Sequence, residues 1–279
     1  MNETFTITGG RGVLTASWPM DRPPEQVWRS LVDADRLAEW FPARAEIDGD
    51  VIVFRFPDDP GEPAEGKVTE RVEGSVLAYG WGGDLLRWEV SPEGVLSLRH
   101  TFDDVPGAAS FAAGWTACAA ALRGSLHGLA PVENTAWAAD HERFAAMFAL
   151  GEGVAEDDGD GWKVRVERQL PASVEATWAH LGEPSFTDVG EPVPPGFLAP
   201  GLLAGPVTGV EAPFHLGYRW RDASGAERGD VRWELAQGTG GARLLLTQTG
   251  TGEGAERARL AWRDVVARLA AGLLLSHTS

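Results

Sequence analysis

Cysteine is almost absent from this sequence, since Cys118 is the only one among 279 residues. A single thiol cannot form an internal disulfide, and the six histidines show no i, i+4 pairing of the metal-binding kind. No Lys, Arg or His lies beside Cys118 in the sequence, so we expect an inert, apolar thiol. The composition therefore predicts no disulfide framework, no metal site and no cofactor.

Basic residues are also scarce, with 24 Lys and Arg against 41 Asp and Glu, which gives a formal net charge of −17. Such a charge repels nucleic-acid phosphates and anionic membrane surfaces, and we therefore expect neither as a partner. The first ten residues lack a basic region followed by an apolar run, and no membrane span is expected. These absences predict a cytoplasmic protein.

The common catalytic loops are missing too, because no phosphate-binding glycine loop and no nucleophile elbow can be found. Tryptophan, by contrast, is abundant, with 12 copies against 2 tyrosines. Large apolar rings with a single donor suit the wall of a hydrophobic pocket and suit a packed core equally well.

A long amphipathic helix is predicted from Phe111 to Leu129, after a run of short strands. Its bulky residues recur at steps of three, four and seven, and small residues between them permit close approach to a sheet. A matching stripe ends the chain: Leu260, Trp262, Val265, Val266, Leu269 and Leu273. Each half therefore finishes with a helix that has one apolar side.

The pattern between these helices predicts two domains. Strand-like runs occupy 43–48, 51–57, 65–72, 76–82, 84–90 and 95–102, with turn residues between them. A closing helix is predicted over 134–150, and residues 151–161 read as an acidic, glycine-rich linker. The predicted domains are 1–150 and 162–279, and we expect them to pair within the chain.

An internal repeat supports this division. Trp28 recurs as Trp178, Trp88 as Trp233 and Trp115 as Trp262, at offsets of 150, 145 and 147 residues. Three landmarks in one order at nearly constant offset indicate two copies of one domain.

Several motifs carry a resemblance to a known family: PPEQVW at 23–28, LAEWFP at 37–42, LRWE at 86–89, LRHTF at 98–102 and AGW at 113–115. Residues 12–149 resemble the family named for the activator of Hsp90 ATPase homologue 1, within the START/Bet v1-like helix-grip superfamily, and residues 162–275 resemble it weakly. The resemblance implies an α+β fold with two tandem helix-grip domains, each a curved antiparallel sheet wrapped around a long C-terminal helix. It also implies an internal cavity for an apolar small molecule, without specifying a reaction.

The candidate cavity residues are mostly aromatic. Period-two alternation places His100 on the inward face of its strand, and Gln248 occupies the matching position of the second copy. Those of the first domain are Trp40, Phe41, Tyr79, Trp81, Trp88, Leu98, His100, Phe111, Trp115, Cys118 and Leu122. Those of the second domain are Trp178, Trp220, Trp233, Gln248 and Trp262. We expect the larger cavity in the first domain, because a Pro- and Gly-rich segment, 186–206, replaces the Trp-Phe-Pro element in the second.

Two main functions remain open. One is binding or sequestration of a hydrophobic, aromatic or polyketide-like molecule, with a role in natural-product biosynthesis or self-resistance as a special case. The other is a polyketide aromatase or cyclase in which His100 acts as acid or base, assisted by Arg99 or Tyr79. A core histidine and a merely structural second copy are the plainer interpretations of the same residues.

Overall fold

The structure, a computed structural model, describes residues 3–57, 61–130, 135–182 and 188–276. The chain forms two compact units, Met1–Trp137 and Ala138–Ser279. Each unit has its own antiparallel sheet and its own long helix.

The first unit begins with a hairpin and two short helices. These elements are β1 (Thr4–Thr8), β2 (Arg11–Pro19), α1 (Pro24–Val32) and α2 (Ala34–Leu37). Six strands follow: β3 (Arg44–Asp48), β4 (Val51–Arg55), β5 (Ala64–Val72), β6 (Val76–Trp81), β7 (Asp84–Val90) and β8 (Val95–Phe102). A short 3-10 turn leads into α3 (Ala108–Leu126). The sheet order is β1-β2-β8-β7-β6-β5-β4-β3, and all pairs are antiparallel.

Local chemistry explains these elements. Pro24 opens α1, where a missing N–H costs nothing, and the Asp33 carboxylate accepts backbone N–H groups at the start of α2. Gly9 and Gly10 have positive φ at the tip of the first hairpin, a conformation that glycine adopts without strain. Along β8, buried and less buried residues alternate, so one face of the strand meets the core.

The second unit opens with α4 (Trp137–Met147), β9 (Val154–Asp158), β10 (Gly161–Gln169) and α5 (Val174–Leu181). It continues with β11 (Leu203–Glu211), β12 (His215–Arg221), β13 (Glu227–Gly238), β14 (Gly241–Thr251) and α6 (Ala255–Ser276). The sheet order is β11-β12-β13-β14-β10-β9.

The two sheets share one topology, which confirms the predicted tandem helix-grip fold. The order β1-β2-β8-β7-β6-β5 of the first sheet corresponds to β9-β10-β14-β13-β12-β11 of the second. The described residues between α5 and β11 form a short 3-10 turn, Pro195–Phe197, where the first unit has α2, β3 and β4. The second sheet is therefore two strands smaller.

The boundary between the units differs from the predicted one at residue 150. The helix α4 belongs to the second unit, where Glu142 forms an ion pair with the buried Arg168 of β10. The predicted linker contains β9, which pairs with β10 from Val154↔Arg165 to Asp158↔Gly161. The glycine and acidic residues of this segment suggested a linker. They nevertheless form a strand, because backbone pairing at the edge of a sheet needs no apolar side chain. The predicted start of the closing helix, Asn134, lies outside the described residues.

The expectation of no membrane-length segment needs a correction as well. Residues Val105–Leu126 are long and apolar enough to cross a membrane by length and composition. In this structure the segment includes α3, the core helix of the first unit, and half of its most apolar window is buried.

Candidate functional site

One cluster of four side chains recurs in both units. In the first unit, the Trp88 indole lies edge-on to Trp115 with ring centroids 5.3 Å apart. The Trp88 Nε1 donates to the Tyr79 hydroxyl over 3.4 Å, and the Trp115 Nε1 donates to His100 Nδ1 over 3.1 Å. Burial raises the pKa of Tyr79 to about 12.

The second unit repeats this cluster with one substitution. Trp233 lies edge-on to Trp262 at 5.8 Å, and the Trp262 Nε1 donates to Gln248 Oε1 over 2.5 Å. The strand register agrees, because His100 lies opposite Leu14 and Leu86, and Gln248 lies opposite Val164 and Val231. The buried Tyr218, which the sequence analysis missed, occupies the position of Tyr79; these are the two tyrosines of the chain.

Both ring nitrogens of His100 hold hydrogen bonds. Because Trp115 donates to Nδ1, the neutral ring carries its proton on Nε2, which lies 2.9 Å from the Asp84 carboxylate. The imidazole is 2% exposed and fixed in this tautomer from both sides. An acid or base role for His100 would require it to release one of these partners. Accepting the tryptophan N–H is a task that Gln248 performs equally well in the second unit.

The outward charges on β7 behave as the alternation predicts. Arg87 forms ion pairs with Glu89 on its own strand and with Glu70 of β5, on the solvent side of the sheet. Arg99, proposed as an assistant to His100, is exposed on the opposite face of β8. It therefore cannot assist His100 inside the sheet.

Two small cavities in the core of the first unit are lined by predicted cavity residues. One, of about 10 Å³, touches Trp40, Phe41, Tyr79 and Trp88. The other, of about 220 Å³, brings together six predicted cavity residues: Phe41, Trp81, His100, Phe111, Trp115 and Cys118. Leu98 and Leu122 are buried in the core and border neither of these two.

The second unit contains the larger cavity, a cleft of about 610 Å³ between the end of the sheet and the first half of α6. Its wall includes three indole rings, those of Trp162, Trp220 and Trp262, together with the buried amide of Gln248. Trp162 and Trp220 pack on each other with ring centroids 5.9 Å apart. Three predicted residues of this domain therefore meet at the cleft, whereas Trp178 and Trp233 lie in the core away from it.

The expectation of a larger cavity in the first unit is wrong, and two aromatic rings give the physical reason. In the first unit, Phe102 and Phe111 pack on His100 at centroid distances of 4.8 and 4.7 Å and fill the space beside it. Their counterparts in the second unit are Gly250 and Ala258. Gly250 follows Gln248 by two residues, as Phe102 follows His100. Ala258 follows Gln248 by ten residues, and Phe111 follows His100 by eleven. Both rings are thus replaced by small residues.

The space is only partly refilled from the neighbouring strand. In the second unit the ring belongs to Trp162 of β10, which pairs with Gly250 of β14. In the first unit the ring belongs to Phe102 of β8, which pairs with Gly12 of β2, so the ring and the glycine are on opposite strands of the pair. A Cβ at Gly250 would come within 2.2 Å of the Trp162 ring. The Pro- and Gly-rich segment does not block the cleft, because its residues Ala199–Leu203 form part of the wall. Phe197 instead packs edge-on against Trp178 and Trp233.

Sequence reasoning missed Trp162, Ala258 and the charged residues at the mouth of the cleft. Aligning the two long helices on Trp115 and Trp262 places Ala258 opposite Phe111, and this loss of a ring was a readable signal. The mouth has three arginines and two acids: Arg221, Arg228, Arg257, Asp222 and Glu253. Hydrogen bonds from Ser224 and Arg228 lower the pKa of the Asp222 carboxyl to about 2, so this group is an anion at neutral pH.

Two antiparallel sheets, each with a long C-terminal helix, define a protein of the helix-grip class with two tandem domains. Residues 21–126 match the family described as "Activator of Hsp90 ATPase homolog 1-like protein". The match lies within the first domain of this chain.

Several solved structures are similar to this chain. The protein DynU16 of the dynemicin biosynthetic locus is 16% identical with a TM-score of 0.40, and the match covers 96% of this chain and 98% of that one. CalU16 from Micromonospora echinospora is 16% identical with a TM-score of 0.42, over 53% of this chain and 97% of that one. A conserved protein of unknown function from Enterococcus faecalis is 16% identical with a TM-score of 0.46, over 53% and 90%. A search of curated proteins finds no match.

Proposed function

We propose that this protein binds a hydrophobic, aromatic or polyketide-like small molecule in the cleft of its second domain and releases it unchanged. The observation that carries the proposal is the cleft of about 610 Å³ walled by three indole rings. That volume lies within the range of small-molecule sites, which are concave, mostly apolar and bordered by a few polar groups. The cavity of about 220 Å³ that six predicted residues line in the first domain falls below that range.

The polar groups of the cleft favour binding over chemistry. Gln248, the polar residue beside Trp262 in the cleft wall, carries an amide that does not exchange protons near neutral pH. The ionisable residues at the mouth are arginines and carboxylates, and Asp222 is held as an anion by its partners. A general acid or base needs a pKa near the working pH and a position within reach of the reacting atom.

The experiment is a titration of the full chain with methylnaphthalene, followed by tryptophan fluorescence and by calorimetry. We expect saturable quenching, because three indoles border the cleft, and recovery of the probe unchanged by mass spectrometry. Mass spectrometry of the denatured, freshly purified protein should also reveal an apolar compound that travels with it. Absence of saturable binding to the whole chain would refute the proposal.

The cyclase alternative rests on the His100–Asp84 pair beside the cavity of about 220 Å³ in the first domain. It is tested by His100→Gln, which keeps an acceptor for Trp115. Under our proposal, probe binding stays unchanged and the free energy of unfolding falls by roughly 0.5–1.5 kcal/mol, the worth of one hydrogen bond. A reaction of the parent protein that slows by roughly 10²–10⁴-fold in this variant would favour the enzyme instead. A role in natural-product biosynthesis or self-resistance stays a prediction.

A further inference from the structure

The mouth of the second-domain cleft has a charge balance unlike that of the chain. The whole protein carries a net charge of −17, yet three arginines and two acids border this one cleft. The cleft lining is therefore net positive by one charge. An isolated positive region in an acidic protein attracts anions that the rest of the surface repels.

The three arginines differ in what holds them. Arg228 binds the Asp222 carboxylate through Nε at 2.6 Å and a terminal nitrogen at 2.5 Å, and so neutralises it. A terminal nitrogen of Arg221 lies 3.7 Å from Glu227, which does not border the cleft. Arg257 makes no hydrogen bond or ion pair within the described part of the chain. Among the described residues, its guanidinium is therefore the cleft cation that has no ionic partner.

Helix stability does not explain the position of Arg257. It lies in the first turn of α6, where the helix dipole disfavours a positive charge. Glu253, four residues earlier, also borders the cleft but forms no ion pair with it among the described residues. The Arg257 counterpart in the first domain is Ser110, which lies four residues before Gly114 on α3 as Arg257 lies four before Ala261 on α6. The charge thus belongs to the domain with the open cleft.

A second unused donor lies deeper in the cleft. Gln248 is 2% exposed, and its Oε1 accepts the indole N–H of Trp262. With the oxygen occupied, the amide nitrogen faces its surroundings as a donor, and it has no hydrogen-bond partner in the ranges that the structure describes. An amide donor that borders a cleft takes its acceptor from a ligand or from water.

We propose that the ligand of this cleft is an aromatic carboxylate that also carries a carbonyl-type acceptor oxygen. Its apolar body packs against Trp162, Trp220 and Trp262, its acceptor oxygen receives the Gln248 amide N–H, and its carboxylate binds Arg257. This inference rests on the proposed binding function and adds the chemical class of the ligand. An ammonium group in the same place would meet the Arg257 cation and would face the N–H side of the Gln248 amide.

The test compares four probes with one ring system on the full chain: naphthoate, naphthamide, methylnaphthalene and naphthylmethylammonium. We expect naphthoate to bind about fivefold more tightly than naphthamide, the upper end of what an exposed ion pair contributes. Naphthamide should bind more tightly than methylnaphthalene, which has no acceptor. The ammonium probe should bind most weakly.

Variants separate the inference from the proposed function. Arg257→Gln should remove the preference for naphthoate and leave naphthamide binding unchanged, whereas Arg268→Gln, an exposed arginine of α6 outside the cleft, should change neither. Glu253→Gln should raise naphthoate affinity. Equal binding of naphthoate and naphthamide, or a preference for the ammonium probe, would overturn the inference while the cleft remains a binding site. Failure of all four probes to bind would overturn both.

Discussion

Restoring the missing ring should close the cleft. The variant is Ala258→Phe, which places a phenyl group where the first domain has Phe111. In the first domain that ring lies 4.7 Å from His100 and 4.6 Å from Phe102, measured between ring centroids. In the second domain Ala258 borders the cleft together with Gln248, so the new ring would occupy the open side of the cleft.

The expected loss of affinity follows from the area that the ring covers. A phenylalanine side chain buries roughly 150–250 Å², and if half of that covers the cleft wall, a ligand loses roughly 100 Å² of apolar contact. At about 25 cal/mol per Å², this loss is about 2.5 kcal/mol, or about 70-fold in Kd at 25 °C. The ring fills an existing space, so the thermal unfolding midpoint should not fall.

The assay is a calorimetric titration of methylnaphthalene into the parent protein and two variants. Ala267→Phe is the matched control, since Ala267 is an exposed residue of the same helix and does not border the cleft. We expect parental affinity in the control and about 70-fold weaker binding in Ala258→Phe. Parental affinity in a folded Ala258→Phe protein would refute the assignment of the cleft as the site.

Three further outcomes are expected. Burial raises the pKa of Tyr79 from 10.0 to about 12, so between these pH values only the unfolded chain ionises this side chain. The free energy of unfolding should therefore fall by roughly 1.4 kcal/mol per pH unit across that window, as measured by urea unfolding in alkaline buffers. A flat stability profile there would contradict this expectation. Burial likewise raises the pKa of the Cys118 thiol to about 12, so a thiol reagent at pH 8 should react with it only after unfolding. Rapid reaction of the folded protein would contradict this expectation. A fragment of residues 138–276 should unfold cooperatively. A fragment of residues 151–276 lacks the buried Phe144 and the Glu142 partner of Arg168, so its free energy of unfolding should be lower by about 3 kcal/mol or more. Equal melting of the two fragments would argue against the boundary at 137.

Much of the fold could be predicted from local sequence because its signals are local. The runs at 76–82, 84–90 and 95–102 became β6, β7 and β8 within one residue at each end. Alternation alone predicted that His100 faces inward, and it is 2% exposed. The helix predicted from Phe111 begins three residues earlier, because its first turn consists of small residues that carry no stripe.

The division into domains depended on contacts that sequence spacing does not show. The helix α4 follows the first domain along the chain and packs in the second, through Glu142 and Arg168. Likewise β9 forms because β10 offers an edge for backbone pairing, which acidic side chains do not prevent. Neither interaction leaves a periodic signal in the segment concerned.

The sequence by itself determined the repeat, the inward faces of the strands and the aromatic residues at each core position, because these follow from period and offset. Only the tertiary structure decided which domain has room for a ligand. That outcome depends on whether rings from two separate elements, Phe102 on β8 and Phe111 on α3, meet beside one inward polar group. In the first domain they meet and fill the space. In the second domain Trp162 supplies a ring beside Gly250, but Ala258 supplies none from α6, and a cleft of about 610 Å³ stays open because close packing needs atoms from both elements.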